Sequence, residues 1–362
     1  MKKIIETLGF YVGTIVGAGI FALPYAIARA GVWWGSLFFI SALILLTFLH
    51  IVYGRIIYAA GEKHRLPGYV WMIIGKNAGI TARFSMLVGF YGVLLVYGIF
   101  AGTLLYDISS TQTPFWWALI FFAAISPFLL FSFERIGMIN FLLSLPLIGF
   151  ILFLFITSIP FIDISHFSFS LQNADWFLPY GIFLFAFAGA SAIPEMADVF
   201  RKRNKRVFEY TILSGSFIVA LLYLFFIITV VGISGSATSP EALVSLKGRV
   251  TPLFLRVGEI MALLAVATSF LAIGTDLRSM FHYDFKLPLS TSWFLAMIGP
   301  VIFFLLGFGG FISLIGFLGA VTIAFDSLFI LWLGVKKNII SPALALSVGV
   351  ALSAGILIFL IL

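Results

Sequence analysis

The run Gly13-Thr14-Ile15-Val16-Gly17-Ala18-Gly19-Ile20-Phe21-Ala22-Leu23-Pro24-Tyr25 sets three glycines and a proline into a stretch otherwise apolar enough for a helix in lipid. The chemistry open to it is that of bare backbone. Glycine permits unwinding and close approach, a following proline stops the helix from simply continuing, and the freed amides and carbonyls can take a charged ligand. Inside a bilayer such backbone survives only within protein or beside a polar cavity. The segment Phe185-Ala186-Phe187-Ala188-Gly189-Ala190-Ser191-Ala192-Ile193-Pro194-Glu195 repeats the arrangement, small residues followed by proline in an apolar run. Small residues alone also serve to pack helices closely. Two clusters at matched positions, each ending in proline, favour a binding site near the membrane midplane.

The elements that must position these breaks are transmembrane helices. The chain has 362 residues, 62% hydrophobic and 10% charged, where soluble domains carry about a quarter charged residues. Cutting at polar and Gly/Pro-rich clusters predicts eleven spans, at 7–30, 33–60, 81–106, 113–132, 137–159, 177–200, 208–232, 254–280, 288–307, 310–334 and 339–362. Each is long enough for a hydrocarbon core of about 30 Å. With Met1, Lys2 and Lys3 in the cytoplasm, the inner segments hold Lys63, Arg65, Lys76, Arg83, Arg135, the run Arg201-Lys202-Arg203-Asn204-Lys205-Arg206, Arg278, Lys286, Lys336 and Lys337. Only Arg29, Lys247, Arg249 and Arg256 fall outside, as the positive-inside rule expects. The expectation is a multi-pass plasma-membrane protein with a cytoplasmic N-terminus and an extracellular C-terminus. The second break lies five spans after the first, and because five is odd it enters from the opposite side. Two inverted five-helix repeats follow, 1–165 and 166–335, with an extra helix over 336–362.

The net charge of +7 tracks the inner loops, with no basic face interleaved with aromatics elsewhere, so nucleic acid is not an expected partner. Cysteine is absent, which excludes disulfides and thiol chemistry. His50, His64, His166 and His282 show no metal-ligand spacing and are expected at interfaces or in loops. Ala28-Arg29-Ala30 has the form of a signal-peptide cleavage site, but Pro24 and the glycines interrupt the apolar run before it, and the segment is expected to be retained.

The "G-T-x-V-G-A-G-I-F-A-L-P-Y" of span 1 and the "F-A-F-x-G-x-x-A-I-P-E" of span 6 resemble the amino acid/polyamine/organocation superfamily. Within it the likeness is to the amino acid/auxin permease branch and the related bacterial aromatic amino acid permeases. The span count, the loop Leu66-Pro67-Gly68-Tyr69 and Thr268-Ser269-Phe270-Leu271 in span 8 extend it over most of the chain. The resemblance implies an all-α membrane protein with a LeuT-like 5+5 inverted repeat, helices 1 and 6 broken, secondary active transport and an amino acid substrate. The chain departs in having Ala190-Ser191 where many members of this branch carry histidine in the span 6 break.

On that reading the amides of Gly17, Ala18, Gly19 and Ile20, at the start of a half-helix, face the substrate carboxylate. Carbonyls around Phe187 and Ala188, beside Gly189 and with the Ser191 hydroxyl, accept from its ammonium. Tyr91, Tyr97, Phe185 and Phe187 are expected near the pocket, though each also suits plain aromatic packing. The small residues Ala18, Ala188 and Ala190 and the uncharged breaks favour neutral substrates, aromatic or branched. Ala265, Thr268 and Ser269, opposite Gly13 and Val16, resemble the sodium site of LeuT-fold transporters, built from carbonyls and hydroxyls that suit a hard cation. Ser and Thr in membrane helices also bond back to their own carbonyls, and related permeases are proton-driven. The coupling ion is therefore sodium or a proton, with no cofactor. Intramembrane acids are functional by default, which makes Glu195 and Asp326 the proton candidates, or partners of a gate residue such as Arg55 or Lys3. Asp276 is expected to pair with Arg278, two residues on, and Glu259 flanks the same span.

No metal motif, activated nucleophile or phosphate loop supports an enzyme. A channel is expected to line a continuous polar path, whereas the polar residues here cluster at one level. An amino acid sensor that does not transport is the remaining alternative; it would normally carry a long cytoplasmic tail, and here the chain ends at span 11.

Overall fold

A computed structural model describes residues 2–131, 133–200 and 205–362; Met1 and the basic run at 201–204 lie outside the described residues. The described chain is helical. In order the α-helices are α1 Lys2–Ile15, α2 Gly19–Ala30, α3 Val32–Ala60, α4 Leu66–Ile73, α5 Lys76–Ser109, α6 Pro114–Ile125, α7 Phe133–Ser158 and α8 Leu178–Ala186. There follow α9 Ile193–Phe200, α10 Lys205–Ser234, α11 Pro252–Tyr283, α12 Leu289–Leu305, α13 Phe311–Phe317, α14 Ala324–Lys336 and α15 Pro342–Ile361. Their boundaries follow local chemistry. Proline in the first turn starts α4, α6, α8, α11 and α15, where its missing N–H is harmless. Gly31 and Gly61 follow the ends of α2 and α3 with φ of 82° and 79°, a conformation costly for other residues.

Among the described residues eight helices are long and apolar enough to cross a membrane, and the bent pair α1 and α2 makes a ninth. The runs expected at 113–132 and 288–307 give only shorter apolar helices, Pro114–Leu130 and Leu289–Leu305. Pro127 tightens the last five residues of the first into a 3-10 turn, and Gly307, at φ 84°, follows the end of the second. Leu66-Pro67-Gly68-Tyr69, expected as a loop, opens the short helix α4 instead. The outer faces carry side chains such as Phe84, Phe161 and Ile361, exposed in a way that only a lipid surround tolerates.

The broken helices occupy the centre. α1 packs on α7, α10 and α11, while α2 packs on α8, α10 and α3. The span containing α13 and α14 is interrupted by a wider π-helical turn, Leu318–Ile323, that packs against α8 and α5; such turns are frequent at functional sites. Charged residues pair within two separate groups. Lys63–Asp198 at 2.7 Å, Arg65 with Glu195 and Asp276, and His64–Asp284 at 2.9 Å fall among residues expected near the inner side. Arg29–Asp175 and Lys247–Asp107, both at 2.7 Å, fall among those expected outside.

Candidate functional site

α1 ends at Ile15 and α2 begins at Gly19, their axes bent by 53°. Glycine is required because the surroundings close in. A methyl group on Gly17 would stand 2.5 Å from Ser269 Oγ and 3.0 Å from Tyr97 Oη, and one on Gly19 would stand 2.9 Å from Ala186 Cα. The second break runs from Phe187 to Ala192, between α8 and the short α9. It faces the first: Gly19 lies against Ala186 and Phe185.

The freed backbone groups are taken by side chains from neighbouring helices. The Tyr223 hydroxyl of α10 lies 2.9 Å from Ile15 O and 2.8 Å from Ala186 O, so one phenol ties the last residue of α1 to the last residue of α8. The Gly189 N–H donates to His50 Nε2 of α3 at 3.1 Å. That fixes the tautomer: Nδ1 carries the hydrogen and donates to Tyr11 Oη at 2.8 Å, leaving the Tyr11 hydrogen for Ser216 Oγ at 3.0 Å. Tyr11, His50, Gly189 and Ser216 belong to spans 1, 2, 6 and 7, joined by one hydrogen-bonded chain.

A cavity of about 110 Å³ opens beside the second break, with Ala188, Ala190 and Ser191 on one wall. Span 2 supplies His50 and Tyr53, span 3 supplies Met86 and Phe90, and the π-helical turn supplies Thr322. Two carboxylates reach the same space, Asp276 and Asp326, the latter accepting a hydrogen bond from Ser85 Oγ at 2.6 Å.

The expected residues are thus brought together unevenly. Gly17, Ala18, Gly19 and Ile20 are fully packed, and two of their amides turn back on the chain, Gly17 N–H to Ile15 O and Ile20 N–H to Gly17 O. Tyr97 stands beside Gly17 and 6.5 Å from the Phe185 ring, and Phe187 packs on Tyr223 at 5.1 Å. Tyr91 is not brought to the breaks; its hydroxyl donates to Leu295 O on α12, at 3.0 Å. Of the expected sodium ligands, Ser269 Oγ reaches Gly13 O at 3.4 Å, Thr268 Oγ1 donates to Ala265 O of its own helix at 2.9 Å, and Val16 is buried.

Three expectations are corrected. His50, expected at an interface or in a loop, is 2% exposed and bonded into the break, bringing an imidazole to the place where the chain itself carries Ala190-Ser191. Asp276 does not pair with Arg278: successive positions two apart point to different helix faces, and Arg278 instead donates to Leu129 O and Phe131 O. Asp276 lies 2.5 Å from Arg65 Nε. Glu195 meets Arg65 as well, not Arg55 or Lys3; Arg55 is held by Glu209 at 2.7 Å. At the inner end of α11, burial holds the Asp284 carboxyl above its ordinary range, against the lowering effect of His64.

Comparison with known proteins agrees with this geometry. MhsT in complex with L-phenylalanine superposes with a TM-score of 0.73 at 15% identity, covering 99% of this chain and 98% of that one. Mhp1, a nucleobase-cation-symport-1 family transporter in a closed conformation with bromovinylhydantoin bound, gives 0.62 at 14% identity, covering 94% and 80%. The fold is LeuT-like. In sequence the chain is 22% identical over 340 residues to the tyrosine-specific transport system 1 of Haemophilus influenzae, covering 88% of this chain and 84% of that protein. The profile of a transporter family, not of an enzyme family, matches residues 1–336. The chain belongs to the tryptophan/tyrosine permease family.

Proposed function

We propose that the protein is a secondary active permease that imports aromatic amino acids across the plasma membrane, coupled to sodium or protons, by alternating access. The observation that carries this reading is the cavity beside the span 6 break, which pairs small walls at Ala188 and Ala190 with Tyr53, Met86 and Phe90. Such surroundings suit a flat apolar side chain. The Ser191 hydroxyl on the cavity wall is an acceptor of the kind an ammonium needs, and the start of α2 at Gly19 favours a carboxylate. In this reading 1–165 and 166–335 are inverted repeats, 336–362 is an accessory helix, the N-terminus is cytoplasmic, and spans 1, 2, 6 and 7 rock as a unit against the rest. Their shared hydrogen-bonded chain through His50 favours motion as one body. Arg65, bridging Glu195 of span 6 and Asp276 of span 8, closes the inner side.

The test is uptake of radiolabelled L-tryptophan, L-tyrosine and L-phenylalanine into proteoliposomes, with sodium and proton gradients imposed separately. Accumulation of at least one of them above the equilibrium level under one gradient is expected. Binding without accumulation under either gradient would return the protein to the sensor class.

A further inference from the structure

We propose that Asp326 of α14 sets the ring specificity of the cavity: it selects aromatic side chains that carry a hydrogen donor, the phenol of tyrosine or the indole of tryptophan, over phenylalanine. The proposal rests on the permease reading and narrows its substrate class. Asp326 reaches the cavity together with Thr322 and Ser327, all three from the span that runs through the π-helical turn into α14. Residues 322 and 326 stand one turn apart and present one face to the cavity.

The hydrogens on this wall are already assigned. Thr322 Oγ1 donates to Leu318 O at 2.6 Å and Ser327 Oγ to Ile323 O at 2.7 Å, so towards the cavity each hydroxyl can only accept. Ser85 of α5 gives its hydrogen to Asp326 Oδ1 at 2.6 Å. Among the described residues that hydroxyl is the one hydrogen-bond partner of the carboxylate, and no cation pairs with it. The other carboxylate of the cavity, Asp276, has Arg65. Asp326 Oδ2 is left for whatever occupies the cavity. Around it stand Leu46, Phe90, Ile273 and Ile330, which offer it nothing, and an acid in such surroundings is costly unless a donor reaches it.

This wall therefore offers acceptors and lacks a donor. A phenol O–H or an indole N–H supplies one, on a ring that the apolar surface of Met86 and Phe90 suits. Those groups need an acceptor in turn when they are buried. Phenylalanine fills the same space and leaves the carboxylate unanswered, and a site built around a buried polar group rejects an analogue without its partner far more strongly than an apolar pocket does. The substrate ammonium is not the missing donor. It sits on the same carbon as the carboxylate that the start of α2 favours, which keeps it at the end of the cavity formed by Ala188, Ala190 and Ser191 and sends the ring towards span 10.

The experiment measures equilibrium binding to the purified full-length protein in nanodiscs for L-tyrosine, L-tryptophan, L-phenylalanine, 4-amino-L-phenylalanine, 4-fluoro-L-phenylalanine and L-lysine. Wild type is expected to bind tyrosine or tryptophan about 10-fold or more tighter than phenylalanine, the scale of one hydrogen bond to a charged group. If tyrosine is the tighter of the two, the 4-amino compound, which restores a donor, should follow it and the 4-fluoro compound should follow phenylalanine. Lysine should not compete. Asp326→Leu, which fills the space without an acceptor, is expected to collapse the preference while phenylalanine affinity holds, and that affinity also reports that the variant folds. Asp326→Asn, a weaker neutral acceptor, takes its place if it does not fold and should shrink the preference in the same direction. A preference unchanged in the folded variant would overturn the proposal, and loss of gradient-driven accumulation with that preference intact would make Asp326 a proton carrier instead. Equal loss of all the aromatic ligands in Asp326→Asn, or lysine binding as tightly as tyrosine, would assign the carboxylate to an ammonium and also refute it. A wild type that transports all three aromatic amino acids and binds them equally sinks the specificity and leaves the permease reading standing. A wild type that neither binds nor transports any of them sinks both.

Discussion

Replacing His50 by alanine leaves the buried Gly189 N–H without its partner and takes one of two partners from the Tyr11 hydroxyl, which keeps Ser216. An unpaired buried group costs about 1–3 kcal/mol. His50→Ala is therefore expected to lower the thermal midpoint and to weaken L-tyrosine binding together, because His50 itself lines the cavity and the amide it releases lies between Ala188 and Ala190 of its wall. A lower midpoint with unchanged affinity, measured on the same purified variant, would reduce His50 to a packing residue. At this scale legibility was mixed. Gly17, Gly19 and Gly189 announced themselves, since glycine in an apolar span has few uses. His50 did not, because its partners lie 39 and 139 positions away and a single imidazole in an apolar run has no spacing to read.

The short segment between α3 and α4 acts on the inner half of span 6 and the inner end of α11. Its Lys63–Asp198 pair is partly exposed and worth little, roughly 0–1 kcal/mol. Arg65 is different: its side chain is 7% exposed, between carboxylates that are 14% and 5% exposed. Removing one partner of a buried pair costs about 3–5 kcal/mol. Arg65→Ala is expected to favour the conformation open on that side. The native chain has no cysteine, so Ser191→Cys gives a single reporter on the cavity wall. Its labelling by an impermeant thiol reagent, applied from the side that bears residue 63, should be faster in the Arg65→Ala background; equal or slower labelling would count against a gate there. The sequence identified Glu195 and Asp276 as notable acids, but named the wrong bases. Helix periodicity tells which residues share a face of one helix, not which loop folds over it.

For the molecule as a whole, sidedness is open to direct measurement. Single cysteines in place of Lys63 and Lys247 are expected to label from opposite sides of sealed vesicles, the first cytoplasmic and the second external, with Lys337 on the side of Lys63. Labelling of both 63 and 247 from one side would contradict the proposed topology. The membrane character, the helical class, the two breaks and a likeness to amino acid permeases were legible from the chain alone. Lipid permits few backbone structures, and a helix interrupted by glycine and proline in that setting has a restricted meaning. The tertiary structure decided what satisfies the freed groups. Tyr223 on two carbonyls, His50 on an amide and Arg65 between two acids are pairings across helices far apart in sequence. Composition requires that buried polar groups find partners; only the packing of one helix against another determines which partner each one meets.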